Sequence, residues 1–292
     1  MAIHWLAIVN PRARFARPAR WRQHIAETIQ REMDARVVFT EYPGHASELA
    51  ASSAADGLAV FGGDGTIAEV VNGMDLPRQR LLLLAGGTGN GLVRDLGLNS
   101  LAAGFAALRV GRTQALDLIR LEFESQGRPV TRLAISTVSL GYAAETVALA
   151  NRHFKSLGEF CYPLAATLQA ARQQSFSVTV QLDENPPQEQ YLSNIMVNNT
   201  RHAGNFSAFR NSNPADGRLE VLLARAGFAA QCLHNIAVLS RTYFYATAAE
   251  ASARMLTLIP ATPQRLMIDG ELWDEVTHLR CEVLPGKLQC VA

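Results

Sequence analysis

The chain has 292 residues, 48% hydrophobic and 18% charged, with a formal net charge of +1. That length suits about two domains of roughly 150 residues, and the composition supplies apolar cores. The near-neutral charge offers no global attraction to nucleic acid. Four scattered cysteines (Cys161, Cys232, Cys281, Cys290) with no C-x-x-C pair argue against a zinc site or a disulfide framework and fit reduced thiols in a cytosolic protein.

The apolar start lacks a basic segment and a cleavage signature, so residues 3–10 read as a strand, not a signal peptide. Residues 18–33 read as a helix with proline near its start. Residues 36–40 form a second strand, and 46–54 a helix. Residues 58–61 are a third strand that enters Gly62-Gly63-Asp64-Gly65-Thr66, with helical pattern over 67–72. Residues 81–85 are a fourth strand entering Gly86-Gly87-Thr88-Gly89-Asn90-Gly91, again with a helix after it. This alternation predicts a mostly parallel sheet covered by helices, with both glycine loops at the carboxyl ends where ligands sit.

Beyond Gly111 the pattern changes. Residues 113–124, 132–139, 176–182, 191–198, 219–224, 254–260, 265–268 and 277–284 read as strands, many with the alternation of half-buried antiparallel β-structure. Helical stretches over 144–174, broken near Gly158, and 229–250 interrupt them, and 183–189 is a polar turn. The expected architecture is an α/β domain over 1–112 and a β-rich, sandwich-type domain over 113–292, with a cleft between them and the last strand free to return to the first domain. No apolar run reaches the 18 or so residues that would span a bilayer.

A strand that ends in Gly-Gly-Asp-Gly-Thr and runs into a helix makes a phosphate cradle. Its glycines let backbone N–H groups converge, and the helix start adds partial positive charge. Asp64 would repel phosphate directly, so its use there is through a cation. A tight turn with an Asx hydrogen bond is the plainer alternative, and a second glycine loop on the next strand favours the cradle. Neither loop is a Walker A motif, since no Gly-Lys-Ser/Thr follows, and the third glycine of a dinucleotide fingerprint is missing. The seven histidines are scattered and there is no G-x-S-x-G, which removes zinc-hydrolase and serine-nucleophile readings.

Residues 61–73, Phe-Gly-Gly-Asp-Gly-Thr-Ile-Ala-Glu-Val-Val-Asn-Gly, resemble the nucleotide-binding signature of the diacylglycerol kinase catalytic family, which includes bacterial lipid kinases and the sphingosine and ceramide kinases. Gly-Gly-Asp-Gly-Thr alone also occurs in NAD kinases and is related to the phosphofructokinase loop; the Glu-Val-Val-Asn-Gly continuation favours lipid kinases. Asn10-Pro11, Thr40 with the segment 44–50, the second glycine loop with 94–98, the segment 213–221 and Asp269-Gly270-Glu271 match the family in order.

The resemblance implies an NAD-kinase/phosphofructokinase-like first domain and an ATP- and Mg²⁺-dependent kinase that phosphorylates an alcohol group on a membrane lipid. Asn10, Thr40, Gly62, Gly63, Asp64, Gly65, Thr66, Ile67, Ala68, Thr88 and Asn90 would bind ATP, with Asp64 in the network around the phosphates and their Mg²⁺. Glu271, with Asp269 second, would accept the hydroxyl proton. In extended backbone residues i and i+2 share a side, which would aim both carboxylates into one cleft, although Asp-Gly is also a hairpin-turn signal. Asp216 and the carbonyls around Asn213 and Arg218 would hold a second Mg²⁺, in what otherwise reads as a turn. The protein would be cytoplasmic and visit the inner membrane face; homodimerisation stays open.

The chain departs from the family's pattern in four places. Arg12-Ala13-Arg14-Phe15 replaces a small-residue turn, Gly86 stands where many members have proline, Gly91 where many have aspartate, and Ala203-Gly204-Asn205 replaces a more glycine-rich loop. Arg12, Arg14, Arg17, Arg20 and Arg22 could meet phosphates or an anionic membrane, or form a solvated helix face. Arg94 is a phosphate-ligand candidate that could equally pair with Asp95. The competing functions are an NAD kinase and a catalytically silent nucleotide- or lipid-binding regulator.

Overall fold

The computed structural model describes all residues except 1–2, 14–18, 87–90, 155–160, 173–174, 204–205, 208, 210–211 and 226–247. The chain divides into two compact units, residues 1–118 with 285–292, and residues 119–284.

In the first unit, β1 (Trp5–Val9), β2 (Ala35–Phe39), β3 (Gly57–Gly62) and β4 (Arg80–Ala85) form a parallel sheet in the order β2–β1–β3–β4. Cys290 and Val291 lie parallel beside Leu81 and Leu82. β3 and all of β4 beyond Arg80 are buried apolar runs, as strands covered on both faces must be. The helices are α1 (Ala19–Glu32), α2 (His45–Ala51), α3 (Asp64–Gly73), α4 (Gly91–Asp95) and α5 (Leu101–Val110). From β1 the chain goes first to one side, to β2, and then to the other, to β3. The switch point of the sheet is therefore between β1 and β3, where open α/β sheets place their ligands.

β5 (Thr113–Ser125) leads into the second unit. β6 (Arg128–Ala134), β7 (Thr137–Gly141), α6 (Tyr142–Leu149), a π-helical turn (Ala150–Phe154) and α7 (Cys161–Arg172) follow. Then come β8 (Phe176–Leu182), β9 (Gln188–Leu192), β10 (Asn194–Asn198), β11 (His202–Ala203), β12 (Phe206–Ser207), β13 (Leu219–Ala224), β14 (Ala248–Ala253), β15 (Met255–Pro260), β16 (Gln264–Ile268), β17 (Glu271–Val276) and β18 (Leu279–Val291). One antiparallel sheet has the order β14–β13–β10–β7–β16–β17. A second set runs β18–β15–β8–β9, with β5 and β6 paired as a hairpin. Alternate residues of both, among them Leu121, Val138, Val178, Val197, Leu256 and Leu266, share one buried core. This is a sandwich, and the expected fold class holds for both units.

Several strands differ from expectation, and three of them have a local cause. Residues 132–139 are two strands, because the backbone breaks at Ile135-Ser136, where two N–H groups turn to the Asp269 carboxylate instead of a ladder. Residues 191–198 break at Ser193, whose N–H donates to Ala224 O and whose carbonyl accepts from Tyr142 N–H. Residues 248–253, read partly as helix, are a strand because they pair along β13; edge pairing overrides the helix propensity of their alanines. The rest of the expected helix 229–250 and the break at Gly158 lie outside the described residues.

Candidate active site

The carboxyl ends of β1 and β3 are joined by the side chain of Asn10. Its backbone N–H donates to Phe61 O (2.8 Å), its Nδ2 to Thr66 Oγ1 (2.9 Å), and its Oδ1 accepts from Arg12 N–H (2.9 Å). Thr40 closes the β2 end of the row by donating its N–H to Val9 O (2.9 Å). Thr66 is buried against Gly62, where a Cβ would come within 2.6 Å of the threonine side chain, so only glycine leaves room at that step. Gly63 caps α3 in extended backbone and accepts from the N–H groups of Thr66 and Ile67. The first N–H groups of the helix have no intrahelical partner and are available to an anion at this end.

Asp64 opens α3. Its Oδ2 accepts from Gly91 N–H (3.3 Å), tying the first glycine loop to the start of α4. Its Oδ1 is withdrawn from solvent and has no hydrogen-bond partner among the described residues. Burial pushes this carboxyl above its usual range, against the Gly91 N–H and the nearby Arg94 charge, which pull it down. An orphaned, desolvated carboxylate oxygen beside a phosphate cradle is the donor a hard cation such as Mg²⁺ takes. Gly91 therefore contributes a backbone N–H where many family members have a carboxylate. Gly86 also has a local cause: a Cβ there would stand 2.8 Å from Gly62 N and from the Phe61 ring.

The continuation after the cradle is a brace. Glu69 Oε2 accepts from Ala46 N–H at the start of α2 (3.2 Å), and Asn72 Nδ2 donates to Ala68 O (2.8 Å). At Gly73 a Cβ would fall 2.1 Å from Ser47 O, so α2 and α3 touch backbone to backbone. Thr88 and Asn90, like Arg14 and Arg17, lie outside the described residues. Of the other arginines in that cluster, Arg12 and Arg20 are exposed and Arg22 lies over the Phe39 ring at 5.7 Å.

The remaining candidates are in the second unit. Residues 269–270 are not extended. Asp269 has φ +49 and Gly270 φ +85, a two-residue hairpin turn between paired Ile268 and Glu271. The expected shared aim of the two carboxylates is thereby lost: Asp269 is buried and Glu271, first residue of β17, is exposed. Asp269 Oδ1 accepts from Ser136 N–H (2.9 Å) and Thr137 N–H (3.0 Å), and Oδ2 from Ile135 N–H (2.9 Å).

Asp216 and Asn213 are exposed and make Asx turns, to Arg218 N–H (3.0 Å) and Ala215 N–H (3.2 Å). The Arg218 guanidinium is held by Ser252 Oγ and O. Burial, and secondarily the Asp216 charge, push the Glu220 carboxyl up. Among the described residues no three His, Cys, Asp or Glu side chains are grouped to hold a metal.

One buried acid was not singled out from the sequence. Asp117 on β5 accepts from Gly286 N–H (2.7 Å); its signal was a charge inside the apolar run Leu116-Asp117-Leu118.

The first unit is thus an α/β domain whose parallel sheet carries the first glycine loop at its switch point. Residues 4–121 match the model of the diacylglycerol kinase catalytic domain, the family whose signature residues 61–73 resemble. YtlR of Bacillus subtilis, named as a candidate lipid kinase, is 34% identical over 137 residues, 44% of this chain and 39% of that protein. Sphingoid long-chain bases kinase 1 of Arabidopsis thaliana is 27% identical over 178 residues, 56% of this chain and 23% of that protein. Well under two thirds of each relative is thus matched. A Bacillus anthracis structure described as a candidate diacylglycerol kinase shares the fold at TM-score 0.79 and 19% identity, over 99% of this chain and 94% of that one. A second structure so described, from the same organism, has a TM-score of 0.77 at 20% identity, over 99% of this chain and 96% of that one.

Proposed function

We propose that this chain transfers the γ-phosphate of ATP to a hydroxyl group of a membrane lipid. The observation that carries the reading is the buried Oδ1 of Asp64, without a hydrogen-bond partner among the described residues, in a glycine loop within the segment that matches the diacylglycerol kinase catalytic domain. Asn10, Thr40 and the loop from Gly62 to Ala68 would hold the nucleotide, with Thr88 and Asn90 from the second loop. Asp64 would hold Mg²⁺, which supplies positive charge to the phosphate oxygens. Glu271 accepts the lipid hydroxyl's proton as the new O–P bond forms and the bond to the β-phosphate oxygen breaks, releasing ADP. Asp216, with the carbonyls of Asn213 and Arg218, would hold a second, structural Mg²⁺. Among the described residues no helix is long and apolar enough to cross a membrane. The protein then acts from the cytoplasm by transient contact with the bilayer.

The test is purified protein with γ-labelled ATP, Mg²⁺ and mixed lipid vesicles, comparing wild type with Asp64→Ala and Glu271→Gln. A labelled lipid made by wild type, with both variants down by about 10²–10⁴-fold, supports the kinase. Labelling of NAD without any lipid would make it an NAD kinase. ATP binding with no labelled product would make it a silent regulator.

A further inference from the structure

We propose that Asp269 is a positioning residue that fixes Glu271 and takes no proton itself. The proposal rests on the reading of Glu271 as the base. Three consecutive backbone N–H groups, at Ile135, Ser136 and Thr137, converge on the two oxygens of Asp269. They can do so because β6 ends at Ala134 and β7 begins at Thr137, so the junction leaves the sheet ladder. Successive N–H groups of this kind form an anion-binding nest, and here the anion is the protein's own carboxylate.

The turn is held from both sides. Asp269 N–H donates back to Thr137 O (2.7 Å), closing a ring between the hairpin and the junction. Behind the junction Ser136 Oγ is 2.6 Å from Thr200 Oγ1 and donates to His202 O (3.2 Å). Asp269 sits in left-handed backbone, which costs a non-glycine residue free energy; the nest supplies the compensation.

A base must present an open lone pair to the substrate hydroxyl. The oxygens of Asp269 are buried and engaged, whereas Glu271 stands exposed across Gly270, its backbone set by the Ile268 pairing and the clamped turn. One Asp-Gly-Glu triplet thus divides the work between a buried anchor and an exposed acceptor.

The experiment is a double-mutant cycle on lipid phosphorylation with Asp269→Asn, Glu271→Gln and the pair, recording kcat, KM for ATP, and the pH profile of kcat for Asp269→Asn. Positioning predicts that Asp269→Asn lowers kcat ten- to a hundred-fold with KM for ATP within two-fold. It further predicts that the acid limb of the profile is retained, and that the pair is no slower than Glu271→Gln alone. Additive losses, or an acid limb that disappears in Asp269→Asn, would overturn it. If Asp269→Asn does not fold, Ser136→Ala keeps both carboxylates while loosening the nest, and should lower kcat two- to ten-fold at unchanged KM for ATP; an unchanged kcat would count against the proposal. A wild-type protein that labels no lipid overturns the kinase reading and this assignment together, whereas an active wild type with an additive cycle overturns this assignment alone.

Discussion

Asp64 in the first unit and Asp269 in the second both withdraw carboxylate oxygen from solvent, and the two are treated oppositely. Among the described residues, Asp64 has one N–H partner and one oxygen with none, and burial raises its pKa. Asp269 in the second unit receives three N–H groups. A buried charge left under-satisfied is a standing cost that a ligand can repay, while a saturated one is scaffold. Asp269 is the more buried of the two and still the better satisfied, so the count of donors, not burial, separates them.

Removing the saturated group should have the larger effect on stability. Asp269→Ala leaves three buried N–H groups unpaired, which costs about 3 kcal/mol or more. Differential scanning calorimetry should show the transition of the second unit falling by roughly 6–12 °C. A loss under about 1 kcal/mol would mean that water replaces the carboxylate and that the contrast is overdrawn.

Asp64→Asn should move stability the other way, by about 1 kcal/mol at neutral pH, while abolishing phosphorylation. The raised pKa means that the native state holds this proton more tightly than the unfolded chain does. The penalty is therefore absent below the unfolded value of about 4, grows as pH rises through the folded pKa, and is complete above it. Denaturant melts of wild type and variant should coincide near pH 3.5 and diverge toward pH 7. A variant less stable at pH 7 would show that the Gly91 contact outweighs desolvation.

The smallest effect tests whether the units open separately. Cys281 in the second unit and Cys290 in the first are both fully buried, and burial pushes both thiols up, that of Cys290 to about 12. With Cys161 and Cys232 replaced by serine, thiol labelling of each reports opening of its own unit. Asp269→Ala should accelerate labelling of Cys281 and leave Cys290 within about two-fold of wild type. Equal acceleration would make the two units one cooperative body.

The parallel sheet was legible because β3 and β4 are continuous apolar runs that stop at glycine loops. The cradle was legible for the same reason, as the motif and its helix are contiguous. What distant residues decide was not. Ala134-Ile135-Ser136-Thr137-Val138 is an unbroken run of strand formers, and only a carboxylate far along the chain breaks it. The pairing of Asp269 and Glu271 was misread for a related reason: side-chain alternation holds in extended backbone, and two left-handed residues cancel it. β17, with three acids among its six residues, gave no apolar signal, and its partner β16 defines it. Glu69 was quoted as part of a motif, but its role at the start of α2 needed the contact to Ala46.

The strand pairing beside β4 bears on how the protein is made. Leu81 and Leu82 gain their neighbours Cys290 and Val291 only after the whole of residues 119–284 has been synthesised. Domains generally fold in order of their emergence from the ribosome, yet here the earlier unit waits and the inserted one can finish first. Until then β4, with four successive leucines, presents a bare edge of the kind that recruits foreign strands. The nascent chain is thus most exposed to misassembly late in translation, at the strand that carries the second glycine loop.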